Sequence, residues 1–193
     1  YAEYRGSVYI LYEQSRMAED GVRRPEGTVQ TYMESVHHQF VSTMANLNTL
    51  ATHSQAMYAD YWQGRKQNVA KKGPYAERSF VILANKNIGR TEDFVERLLA
   101  QDIEVFVAQT DLEVKDAVNQ LGQTLATTDV PAGSLVIPNR QPEARLLAAI
   151  MEFDAAVKPE VIIKERQKKL RDGSSVMYDT TAWNLSMMYG LSA

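Results

Sequence analysis

The sequence predicts an α/β protein built from two units. Residues 8–12 (VYILY) and 79–84 (SFVILA) are apolar runs without a polar break, a pattern typical of strands covered on both faces in a mixed or parallel sheet. Between them, from residue 28 to about residue 67, apolar side chains recur at helical spacing. A Gly-Pro breaker at residues 73–74 predicts a boundary, so the expected domains are 1–74 and 75–193.

Composition and charge exclude several function classes. A formal charge of −3 over 193 residues gives no net attraction toward nucleic acid or an anionic membrane. No apolar run reaches the length of about 18 residues that a membrane-spanning helix needs. The chain has no cysteine, which excludes disulfides, thiolate zinc ligands and a cysteine nucleophile.

The first strand-like run ends in a carboxylate, Glu13. Ligands bind beyond the carboxyl ends of strands in open α/β sheets, which makes Glu13 a candidate catalytic residue. On pattern alone, a solvated residue that ends a strand is the commoner explanation. A central strand also needs two neighbours, and no other strand-like run precedes residue 79. Because the chain in addition opens at Tyr1, we expect it to be a fragment of a longer protein.

The long helical segment is expected to begin at Thr28 or Thr31 and to end at Gly64, with an interruption near residues 46–49. Its single apolar stripe predicts packing against the sheet that contains residues 8–12. A coiled-coil seam is the less favoured alternative, because regular leucines and oppositely charged flanking positions are missing.

The segment carries all three histidines of the chain. Helical zinc ligands lie three or four residues apart so that both point the same way. No Glu or His follows any of them at that spacing, which favours structural histidines. They are His37, His38 and His53.

The second unit is predicted to begin with a β-α-β motif. The strand at residues 79–84 leads to a helix capped by Thr91, and a second strand follows at residues 103–107. Such a unit is expected to be a right-handed parallel crossover. One face of the predicted helix carries Phe94, Val95, Leu98 and Leu99.

The remainder predicts a three-layer, flavodoxin-like domain whose sheet is parallel. Residues 114–125 are expected to form a short helix and residues 134–138 a third strand, followed by a helix from Pro142. Residues 161–163 fit an edge strand or a helix start equally well. The cationic run at 164–171 favours a solvated helix face over a nucleic-acid groove.

Catalytic patterns are weak in this second unit. The turn at residues 85–90 has one glycine where a dinucleotide fingerprint has three. The turn after residue 137 has the layout of a nucleophile elbow, but Asn139, Arg140 and Gln141 stand where Ser or Cys is needed. Residues 75–193 contain neither His nor Cys, so a structural domain is favoured.

Two groups of residues resemble known families. Residues 8–14 (VYILYEQ), with a loop and a long helix after them, resemble the final strand, catalytic glutamate and last helix of zinc carboxypeptidases of the carboxypeptidase A family. Residues 133–138 (GSLVIP), the pairs Gln141-Pro142 and Arg145-Leu146, and the ending 178–183 (YDTTAW) resemble a bacterial subgroup. That subgroup carries a class I glutamine-amidotransferase-like domain behind the peptidase.

This resemblance implies a metallocarboxypeptidase in which a zinc-bound water attacks the last peptide bond of a peptide or protein substrate. Glu13 would be the general base and then the proton donor. The family's His-x-x-Glu zinc motif is absent from this sequence. Zinc ligands are therefore expected only in the intact protein, and the fragment alone should bind no metal and be inactive. The resemblance also implies periplasmic or secreted localisation.

A rival interpretation belongs to a different class. In it, the chain is a non-enzymatic interaction or small-ligand-binding module, and the long helix mediates assembly. The sequence alone does not decide the oligomeric state. A start codon just before Tyr1 in the encoding reading frame would favour this rival, whereas an upstream His-x-x-Glu motif would favour the peptidase.

Overall fold

A computed structural model describes residues 2–13, 21–153, 158–175 and 184–193. It has mixed α/β architecture, as the sequence predicts. The chain divides into two compact units, Tyr1–Arg65 and Lys66–Ala193, which we call unit 1 and unit 2. Among the described residues, no helix combines the length and the apolar character that crossing a bilayer requires.

Unit 1 contains a short 3-10 helix (Ala2–Arg5), two antiparallel strands, β1 (Gly21–Arg23) and β2 (Val29–Thr31), and the start of α1 (Tyr32–Val69). The turn between the strands is closed by a 2.8 Å hydrogen bond from the Arg24 N–H to the Thr28 carbonyl. This hairpin leads directly into α1.

The predicted buried strand at residues 8–12 is wrong for this structure. These residues join no sheet, and the side chains of residues 8–11 are between 52% and 68% exposed. The segment is held against α1 instead: the Tyr12 hydroxyl donates to Asn46 Oδ1 at 2.9 Å, and Gln39 Nε2 donates to the Tyr12 carbonyl at 3.3 Å. A strand forms only where a neighbour accepts and donates along its backbone, and no described strand does so here.

The start of α1 is confirmed as a capping box at Thr31. The Glu34 N–H donates to Thr31 Oγ1 at 3.2 Å, and the Thr31 N–H donates to the Glu34 carboxylate at 2.7 Å. The predicted interruption and the predicted end at Gly64 are wrong, because α1 is one helix of 38 residues. A glycine inside a helix costs only about 1 kcal/mol relative to alanine, too little to end it by itself.

The apolar stripe of α1 is exposed among the described residues, so its predicted packing on a sheet is not observed. The exposed large side chains of α1 include Met33, Val36, Phe40, Met44, Leu47, Leu50, Tyr58, Tyr61 and Trp62. Along about 57 Å of helix, this is an uncommonly large apolar surface for a globular protein.

The Thr31 cap gives a first prediction. Thr31→Ala removes the hydroxyl that accepts from the Glu34 N–H and should lower stability by about 1 kcal/mol. The change should be visible as lower helicity by circular dichroism. Thr49→Ala, at an exposed position inside α1, is the matched control and should not lower helicity, because alanine favours a helix interior more than threonine does.

The same cap should respond to acid. Hydrogen bonds from Thr31, first from its backbone N–H and then from its hydroxyl, hold the pKa of Glu34 below its ordinary value of 4.5. The stabilisation is therefore complete above pH 4.5 and is lost as the pH falls through the lowered pKa. In Glu34→Gln this part of the acid transition should disappear; an unchanged transition would contradict the assignment.

Unit 2 is built on a three-stranded sheet in the order β3-β7-β4. Strand β3 (Ser79–Ile82) and strand β4 (Phe106–Val107) both pair antiparallel with β7 (Leu135–Pro138). The predicted all-parallel arrangement is therefore wrong. β3 and β4 do run in the same direction, as the predicted β-α-β motif requires, with α2 (Ile88–Leu99) between them in sequence. The result is a split β-α-β motif, with β7 inserted between its two strands.

The reversal of β7 has a local cause. The helix predicted at residues 114–125 is instead an antiparallel hairpin of β5 (Leu112–Val118) and β6 (Thr124–Val130). A helix at this point would let the following strand run parallel to β4, whereas a hairpin makes the following strand antiparallel to it. In the β4–β7 ladder and in the β5–β6 ladder, the numbers of two paired residues always add to the same total. The hairpin therefore continues the β4–β7 strand pair in the same register.

Three further helices complete unit 2. The predicted helix after Pro142 is α3 (Ala144–Ile150), and residues 161–163 lie in a helix, α4 (Pro159–Asp172), rather than in an edge strand. The cationic residues of α4 are on a largely exposed helix, as predicted. A short C-terminal helix, α5 (Leu185–Tyr189), follows. The YDTTAW segment lies outside the described residues.

The hydrophobic core of unit 2 lies between this sheet and the helices. Phe94 and Leu98 of α2 and Ile137 of β7 are fully buried, and Phe94 meets the ring of Tyr189 edge-on at 5.7 Å between centroids. Leu191 is buried in the same cluster, so the C-terminal segment 184–193 packs on the core.

Two neighbouring leucines of α2 test this core. Leu98 is 0% exposed and Leu99 is 55% exposed. Leu98→Ala should destabilise unit 2 by about 2–5 kcal/mol through lost burial and the remaining cavity. Leu99→Ala, the matched control, should cost no more than about 0.5 kcal/mol. Urea unfolding followed by circular dichroism measures both, and similar midpoints for the two variants would refute the packing.

Candidate functional site

Glu13, the predicted catalytic residue, lies at the end of the extended segment that follows the 3-10 helix. Its side chain is exposed. The preceding residue, Tyr12, is held to α1 by two hydrogen bonds, which fix the backbone next to Glu13. The structure therefore places the backbone that precedes Glu13 against α1, and not at the end of a sheet strand.

The histidines do not converge on Glu13 in the way a metal site requires. His37 and His38 are neighbours on α1 with ring centroids 6.3 Å apart and tilted by 52°, and His53 lies four turns further along. All three are exposed. Over the described ranges, no group of three or more His, Asp or Glu side chains is arranged to hold a metal ion. These residues thus do not fit a zinc site.

The strand-turn-helix after β7 is the place where the sequence suggests an elbow without a nucleophile. In the structure, Asn139 is fully buried. Its side-chain Nδ2 donates to the Ala144 carbonyl at 2.8 Å, and its Oδ1 accepts from Arg78 Nε at 2.9 Å. The Asn139 N–H also donates to the Arg78 carbonyl at 2.8 Å. Asn139 therefore ties β7 to β3 and to the start of α3.

Gln141 continues this network in the same turn. Its Oε1 accepts from the Glu104 N–H at 2.8 Å, and its Nε2 donates to the Pro138 carbonyl at 2.6 Å. The side chain thus binds the segment before β4 to the end of β7. The side-chain amide of Gln141 is already bonded to backbone groups, so its role is to stabilise the fold.

A carboxylate that sequence reasoning missed lies beside them. Glu143, at the start of α3, is 1% exposed. Asn68 is also buried nearby, and its Nδ2 donates to the Pro142 carbonyl at 2.8 Å. The sequence carries no signal for either, because charged and amide residues are usually exposed.

A cavity of about 290 Å³ opens at the end of β3. Its apolar floor includes Ile82 and Leu135, and Asn85, Thr91 and Glu92 stand at its polar side. The Asn85 side chain is occupied with the turn itself: Oδ1 accepts from the Asn87 N–H at 2.8 Å, and Nδ2 donates to the Leu83 carbonyl at 3.1 Å. This is the turn that has one glycine where a dinucleotide fingerprint has three, and the structure adds a small cavity to it.

No protein-family model, curated protein or solved structure matches this chain. The chemistry must therefore be argued from the residues. In the turn after β7, the side-chain amides of Asn139 and Gln141 bond to backbone groups, and the carboxylate of Glu143 is buried beside them. These amides therefore stabilise the turn.

Adjacent residues test whether the turn after β7 is structural. Asn139→Ala leaves the Ala144 carbonyl and the Arg78 side chain without this partner, and should cost about 1–3 kcal/mol of stability. Arg140→Ala changes the exposed neighbour and should cost less than about 0.5 kcal/mol. Denaturant unfolding compares the two, and equal stability of both variants would contradict the structural role.

Proposed function

We propose that the chain is the C-terminal portion of a zinc metallocarboxypeptidase-like protein that hydrolyses C-terminal peptide bonds of peptides or proteins. In this proposal, residues 1–74 supply the end of the catalytic domain. Residues 75–193 form an accessory, non-catalytic α/β domain that resembles class I glutamine amidotransferases. The zinc ligands belong to the intact protein and lie outside these residues.

The observation that carries the proposal is the uncovered apolar surface of unit 1. Residues 8–11 are extended, apolar and exposed, and the stripe of α1 is exposed as well. A strand-like segment and a helix with exposed apolar side chains acquire stability when further strands of a sheet cover them. The missing part of a catalytic sheet would satisfy both requirements at once.

Glu13 has the chemistry that the proposal needs. An exposed carboxylate beside a bound water accepts a proton as the water attacks the peptide carbonyl, and returns it to the leaving amine. Zinc, when bound by the intact protein, would lower the pKa of that water. The hydrogen bonds of Tyr12 to α1 would hold the backbone of Glu13 in place during this transfer.

The test is Glu13→Gln in the intact protein. The amide keeps the size of the carboxylate but removes the proton acceptor, so kcat for a peptide with a free C-terminus should fall by about 10²–10⁴-fold. Zinc content and substrate affinity should stay near those of the parent. Metal analysis and steady-state kinetics measure both.

Glu3→Gln, at another exposed carboxylate of unit 1, is the matched control and should retain full activity. The 193-residue chain by itself serves as the blank, with neither activity nor stoichiometric zinc. Retained activity of Glu13→Gln at an unchanged melting temperature would remove Glu13 from the mechanism.

A second candidate function is favoured by one feature of α1. Residues 35–59 contain no Asp, Glu, Lys or Arg, so the exposed stripe has an uncharged setting that suits a helical interaction module. The two candidates differ in what covers α1: further residues of the same polypeptide for the peptidase, and a separate partner for the module. The encoding reading frame upstream of Tyr1 distinguishes them.

A further inference from the structure

Unit 2 has a strand edge that its own described residues leave open. Strand β5 pairs only with β6 within the described part of the chain. Asp116 interrupts this ladder, since its φ is 52° and the pairing of β5 with β6 skips it. Since backbone bonding alternates along an antiparallel ladder, every second residue of the regular stretch 112–115 points its N–H and C=O groups away from β6.

This edge is held in place at both ends. At the base, the Ala132 N–H donates to Asp111 Oδ1 at 2.8 Å. At the tip, the Gln120 N–H donates to the Ala193 carbonyl at 3.1 Å, and the Ser186 hydroxyl donates to Gln120 Oε1 at 3.2 Å. An edge fixed in this way loses little conformational entropy when it gains a neighbour.

The side chains along the edge specify the neighbour. Leu112 and Val118 are each 44% exposed, and they flank two exposed residues of opposite charge, Glu113 and Lys115. Neither charge forms an ion pair within the described residues. Charges on an edge usually oppose association, but opposite charges two residues apart complement a copy of themselves that runs antiparallel.

We infer that β5 pairs edge to edge with β5 of a second copy of this chain, about a two-fold axis at Val114. In this register, Glu113 of each copy lies opposite Lys115 of the other, and the two Val114 residues face each other. Such directly opposed charge pairs stabilise antiparallel strands, and an isologous contact of this kind closes as a dimer.

The charges also exclude the neighbouring registers. A strand can slip only by steps that keep side chains on the same face. One step in either direction places Glu113 opposite Glu113 or Lys115 opposite Lys115, and both are like-charge pairs. The first slip would also bring Asp111 opposite Lys115, but Asp111 lies before β5 and its carboxylate already accepts from the Ala132 N–H. The register centred on Val114 is the one that the charges favour.

Sedimentation velocity of the 193-residue chain over a range of concentrations tests the inference. The parent should show a concentration-dependent monomer–dimer equilibrium. Glu113→Lys and Lys115→Glu each replace two attractive pairs with two repulsive ones, and each should raise the dimer Kd about tenfold or more. The double variant restores opposite charges and should return the Kd to the parent value.

Glu96→Lys, an exposed charge reversal on α2, is the control and should leave the Kd unchanged. As an independent measurement, amide exchange within residues 112–115 should slow as the parent protein concentration rises. A parent that stays monomeric, a dimer that the single variants leave intact, or a double variant that fails to recover would each overturn the inference. The last two would point to another surface. The inference does not rest on the proposed peptidase, whose failure is read from Glu13→Gln.

Discussion

The backbone hydrogen bonding of β7 is the interaction on which unit 2 depends. β7 lies between β3 and β4 and pairs with both, and its Ile137 is fully buried in the core. The sequence between β4 and β7 forms a hairpin, so β7 arrives antiparallel and its continuation, β6, carries β5 as an outer edge. The open edge used in the proposed dimer thus follows from the direction of one central strand.

Unit 1 depends on a different constraint. Its extended backbone and its exposed apolar side chains need a partner that covers them. Residues 8–11 and the stripe of α1 are both exposed. Two hydrogen bonds from Tyr12 and Gln39 hold the extended segment to α1 without supplying a strand neighbour. Both candidate functions answer this same need, and they differ only in whether the cover belongs to the same polypeptide.

The turn after β7 shows how polar side chains in a suggestive place become structural. Its amides bond to backbone groups and to Arg78, which satisfies buried donors and acceptors that would otherwise cost free energy. The sequence excluded a nucleophile here, since neither Ser nor Cys stands at the elbow. It gave no indication of the buried Glu143, because the burial of a carboxylate depends on which elements pack around it.

Local pattern determined by itself the mixed α/β class, the start of α1 to within Thr28 or Thr31, and the approximate positions of β3, α2, β7 and α3, because capping and apolar period act over a few residues. Tertiary structure decided what depends on distant partners. Residues 8–12 and β3 are equally apolar runs, yet only β3 has a neighbour in β7 and becomes a strand. Strand direction also depends on distant partners, because backbone hydrogen bonds between strands join residues far apart in the sequence. Residues 8–12 have no such partner among the described strands, so Glu13 does not lie at the end of a sheet strand.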